Sequence, residues 1–128
     1  MNLHERPDTL RIGYIARPAG QGDAAERALR DLAEVMDVEL LRIIVKPEDY
    51  KLPLNQRFGL LEAIRAVQSC EAMTLITDNA SLEPADHDDI ATLYAKLAAV
   101  DGDLVIVDLR LISVPAQRDG LAGERLAS

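Results

Sequence analysis

The sequence predicts an α/β domain of three layers, a mostly parallel sheet of four to five strands flanked by helices. Three observations predict it. Short apolar runs alternate with longer segments whose apolar residues recur at helical spacing. The runs are apolar at successive positions, as strands covered on both faces are. Finally, the 128 residues are 48% hydrophobic but only 3% aromatic, enough for one core built from Ala, Leu, Ile and Val.

The first run, Leu10 to Ala16, stops at Arg17-Pro18 and reads as a strand. Gly20-Gln21-Gly22 makes a loop. Asp23 is then placed to cap a helix, with Glu26 three residues on in a capping-box-like pair. Ala25, Leu29, Leu32, Val35 and Met36 form its expected buried face. Glu39 to Val45 is a second strand, ended by Lys46-Pro47, and the polar stretch Glu48 to Leu54 is the least regular interior segment.

Asn55 is the expected cap of a second helix whose apolar face carries Phe58, Leu61, Ile64 and Val67. Ala72 to Thr77 is a third strand, followed by a loop from Asp78 to Ala85. Asp86 caps a helix carrying Ile90, Leu93, Leu97 and Val100. Asp101-Gly102 then turns the chain into a fourth strand, Asp103 to Leu109. Residues 1–9 are expected to be an N-terminal tail, 10–112 the domain, and 113–128 a C-terminal tail or short helix.

A formal net charge of −8 makes direct nucleic-acid binding by this chain alone unexpected, because neutralising phosphates requires clustered Lys and Arg. One cysteine, Cys70, excludes an intramolecular disulfide and is expected to serve as a small core hydrophobe. The first nine residues hold no signal-peptide core, and no apolar run spans a bilayer, so a cytoplasmic location is expected. No cofactor or metal is implied.

Ligands of an open parallel sheet bind outside the carboxyl ends of its strands. Gly20-x-Gly22-x-x-Ala25 lies at such an end and nominally matches a phosphate-binding fingerprint, although the tight turn is missing. Asp86-His87-Asp88-Asp89 reads as helix capping rather than a metal cluster, since adjacent residues cannot all face one ion. Asp78 and Asp108 end strands, but the paired acids of a receiver-type pocket are absent after the first strand, where Arg17 stands.

A fourth constellation carries a family resemblance. Ile15-Ala16-Arg17-Pro18-Ala19, running from a strand toward a helix, is similar to the Tyr-Ala-Arg-Val-Ser that opens the catalytic domain of serine recombinases (resolvases and invertases). Arg57-Phe58-Gly59-Leu60 resembles the family's Arg-Pro-Gly-Leu at a helix start. Asp78 to Pro84, after the third strand, takes the place of Asp-Arg-Leu-x-Arg, which sets Ala80, Ser81 and Pro84 against that Asp, Arg and Arg. The resemblance covers about residues 10–112 and implies a resolvase-like fold. In the family a serine hydroxyl attacks a DNA phosphodiester while clustered arginines stabilise the phosphoryl oxygens.

The departures fall on the chemistry. Ala19 has no nucleophilic atom, and Ser81 and Pro84 supply no guanidinium. Arg17 and Arg57 remain, either to hold an anion with Gly20 and Gly22 or to serve as ordinary solvated residues. The resemblance therefore implies a catalytically inactive, regulatory or protein-interaction domain that pairs with itself or with a recombinase-like protein. Two alternatives stand beside it. One is an active recombinase-related protein using Ser69 or Ser81, and the other is a small-anion or nucleotide binder.

Overall fold

Four parallel strands lie in the order β2-β1-β3-β4 in the structure, a computed structural model that describes residues 10–109. They are β1 (Leu10–Ile15), β2 (Glu39–Val45), β3 (Thr74–Asp78) and β4 (Asp103–Val107). The helices are α1 (Gly22–Met36), α2 (Phe58–Gln68), the short α3 (Asn79–Leu82) and α4 (His87–Ala98). The expected α/β architecture is present. The expected tails, with residues 110–112, lie outside the described residues.

Side chains alternate between two cores because successive residues of a strand face opposite ways. Ile12, Tyr14, Leu75 and Leu104 pack with Leu60, Ile64, Leu93 and Leu97 beneath α2 and α4. Ile15, Ile76, Ile43 and Val105 pack with Ala25 and Leu29 beneath α1. The three layers are thus α1, the sheet, and α2 with α4. Among the described residues no helix is long and apolar enough to cross a membrane.

Several local expectations change. Gln21, not Asp23, stands at the cap of α1 without a side-chain cap bond, and Glu26 instead pairs with Arg30 at 3.0 Å. The buried stripe of α1 is Gly22, Ala25, Leu29 and Ala33, while Val35 is 81% exposed. Small residues at 22, 25 and 33 let the helix axis approach the sheet and turn Val35 and Met36 outward. Asn55 sits in a 3₁₀ turn before α2, and Arg57 takes the cap position.

The face of α2 is also rotated from the expected one. Gly59, Leu60, Ala63, Ile64 and Val67 are buried, whereas Phe58 is 81% and Leu61 38% exposed. The physical cause is the Asp49 carboxylate, which accepts the Gly59 and Leu60 N–H groups at 2.9 and 3.2 Å and fixes the start of the helix. Cys70 is exposed rather than in the core, since it follows the end of α2 with φ at +62°. Val100 is likewise exposed, beyond the end of α4. Asp86 caps α4 as expected, accepting the Asp89 N–H at 2.9 Å, and the structure adds the reciprocal bond, from the Asp86 N–H to the Asp89 carboxylate at 3.1 Å.

Candidate functional site

The chain leaves β1 toward β2 and leaves β3 toward β4, so the sheet order reverses between β1 and β3. The crevice at such a reversal is where parallel sheets place ligands. Here it is bounded by Ala16 and Arg17 after β1 and by Asp78 to Ser81 at the end of β3.

Arg17 turns back across the crevice. Its guanidinium forms an ion pair with Asp78 and donates to the Ser81 hydroxyl at 2.7 Å. Asp78 is buried and also accepts the Ser81 N–H at 3.1 Å, capping α3. The Ser81 Oγ accepts a second bond, from the Ala16 N–H at 3.0 Å, and the serine is fully buried. The sequence pattern of Asp78 to Ala85 reads as a loop, where the structure has α3. Its existence follows from the Asp78 cap, which joins the two strand ends through one carboxylate.

Among the described residues Arg57 is the largest fully buried side chain. Its Nε donates to the Leu52 carbonyl at 2.8 Å and its Nη2 to the Glu83 carbonyl at 2.6 Å. Nη1 donates to the Ser81 carbonyl and, at 3.4 Å, to the Tyr14 hydroxyl. Five fixed donors suit this bridging of separate carbonyls. The reading of Arg57 as solvated in the helix's first turn is therefore overturned, and so is that of Arg17 as solvated on a loop.

Tyr14 and Asp49 complete the network. The Tyr14 hydroxyl donates to Asp49 at 2.8 Å, and both side chains are buried. Burial raises the Tyr14 phenol well above its usual range, and the bond to Asp49 pushes it the same way, against Arg57. Neither residue was singled out from the sequence. Tyr14 lies within an apolar strand and Asp49 within the irregular segment, and no local pattern links positions 35 apart.

The remaining candidates lie around this network. Ala19 is exposed in a turn closed by the Gln21 N–H on the Pro18 carbonyl at 3.0 Å. Gly20, at φ +89°, supplies the left-handed residue of that turn. Gly22 is buried, and a Cβ there would come within 2.7 Å of the Val45 side chain. Ala80 is half-buried on α3, and Pro84 is exposed after Glu83. Ser69 follows α2 and precedes the amino end of β3, whereas the crevice lies at the carboxyl ends of the strands. Among the described residues no three metal-ligating side chains converge.

The geometry defines a class of domain, a parallel α/β fold with a polar crevice at its topological switch point. No family model matches the chain, and no curated protein does. A solved structure does resemble it, the C-terminal catalytic domain of ISC1926 TnpA, an IS607-like serine recombinase. The likeness has a TM-score of 0.62 at 14% identity and covers 86% of this chain and 78% of that one. The fold is thus that of a serine-recombinase catalytic domain.

Proposed function

We propose that this chain is a recombinase-fold domain without recombinase chemistry, a regulatory or interaction module that pairs with itself or with a recombinase-like protein. The observation that carries this reading is the Arg17–Asp78 ion pair across the switch point. A guanidinium that would stabilise phosphoryl oxygens is neutralised by the chain's own carboxylate. Arg57 is likewise committed, to three backbone carbonyls. At the N-terminus of α2, where an external anion would also be welcome, the Asp49 carboxylate already accepts the N–H groups.

Ala19 supports the same reading, since the strand-end turn presents a methyl group where nucleophilic attack needs a hydroxyl. Ser81 is fully buried and its oxygen accepts two bonds, which favours a structural duty. Incubation with supercoiled DNA, followed by denaturation, tests the reading directly. No covalent protein–DNA adduct is expected. An adduct that disappears in Ser81→Ala or Ser69→Ala would overturn it. Chemical cross-linking of the purified chain, alone and with a recombinase, tests the association.

A further inference from the structure

We propose that the outward side of α2 and the groove between α2 and α4 form the surface on which two copies of this chain associate, an inference that rests on the self-association reading and names its interface. Phe58 and Leu61, one turn apart on α2, are exposed at 81% and 38%. Beside them lie two adjoining cavities of about 370 and 340 Å³, whose walls share Leu54, Asn55, Ile64 and Lys96. A two-fold interface requires each copy to offer both halves of every contact. A projecting ring next to an apolar hollow meets that requirement, with Phe58 of each copy entering the other's Leu54–Ile64 groove.

Charge selects a second copy as the occupant. Arg42 pairs with Glu62 and Glu71 at 3.7 and 3.4 Å, and Arg65, Lys96 and Asp89 line the same face, so its lining charges cancel on a chain of net charge −8. Two copies of an acidic chain repel over most approaches and meet at least cost where their local charges cancel. A strongly basic partner would find no excess of negative charge here. Val35, also exposed at 81%, stands in sequence among Asp31, Glu34, Asp37 and Glu39, where two copies would bring like charges together.

The test is sedimentation of the full chain from micromolar to hundreds of micromolar concentration. The wild type should dimerise, and Phe58→Glu and Leu61→Glu should each weaken the dimer at least about tenfold. Val35→Glu should leave it unchanged. Circular dichroism and thermal unfolding will report whether these surface variants keep the fold. A dimer that survives both α2 variants would overturn this surface and leave self-association standing, whereas a wild-type monomer at every concentration would overturn both. Cross-links in a monomer from Lys96 to residues beyond 109 would give the groove to the chain's own terminus and overturn the proposal. Pairing with a recombinase that depends on Phe58, without homodimerisation, would overturn the choice of a second copy.

Discussion

The crevice at the switch point and the outer side of α2 are joined through Arg57 and Phe58, which are neighbours in sequence and opposites in circumstance. Arg57 is 2% exposed and Phe58 81% exposed. The charged side chain is buried because three carbonyls and a phenol meet its donors. The apolar one is outside because Asp49 fixes the helix start and turns Leu60 inward. Burial therefore follows the satisfaction of polar groups and the orientation of the helix, not the hydropathy of each residue. The crevice is internally complete, whereas the α2 surface presents what a partner could cover.

The largest effect expected from breaking this contrast is at Arg57. Arg57→Met should destabilise the domain by about 3–5 kcal/mol in urea unfolding, since it leaves buried carbonyls without donors. A loss below about 1 kcal/mol would mean that the network does not hold the crevice together. Asp78→Asn keeps a cap for α3 but removes the counter-charge of Arg17, and should cost about 2–4 kcal/mol. Phosphate, at matched ionic strength, should then stabilise the variant more than the wild type, as an anion takes the carboxylate's place. Equal effects on both would show that Asp78 does not close the crevice.

A smaller effect concerns Tyr14. Its phenol is raised in the folded state by burial and the bond to Asp49, so the neutral form is favoured on folding. The unfolded chain ionises at about pH 10, and the folded chain higher. The stabilisation from this group is thus complete below about pH 10 and is lost as pH rises beyond it. Wild-type stability should fall more steeply than that of Tyr14→Phe between neutral pH and about pH 11, as read by urea unfolding. Parallel curves would refute the burial argument. The smallest expected effect is on folding of Phe58→Glu, within about 0.5 kcal/mol of the wild type, even where association is lost.

Much of the fold was legible because its signals are local. Apolar runs at residues 39–45 and 103–109 mark strands, and β2 occupies 39–45. The Asp86–Asp89 cap was legible for the same reason, since donor and acceptor are three residues apart. The face of α2 was not. Phe58, Leu61, Ile64 and Val67 and the observed set Leu60, Ala63, Ile64 and Val67 both follow helical spacing, and they share two members. Periodicity cannot choose between them, while a carboxylate at Asp49 can.

Alternating runs and helical spacing in this sequence determined a parallel α/β domain, with Arg17, Asp78 and Ser81 at strand ends. Ala19 also fixed, from the sequence alone, that no hydroxyl stands at that position. Only the tertiary structure decided that Arg17 is paired with Asp78, that Arg57 is buried, and that Tyr14 and Asp49 join it. The Arg17–Asp78 and Tyr14–Asp49 contacts span 61 and 35 residues, and those of Arg57 run from 5, to Leu52, up to 43, to Tyr14. Side-chain partners so distant in sequence are chosen by where the sheet brings strand ends together, and no local propensity records that choice.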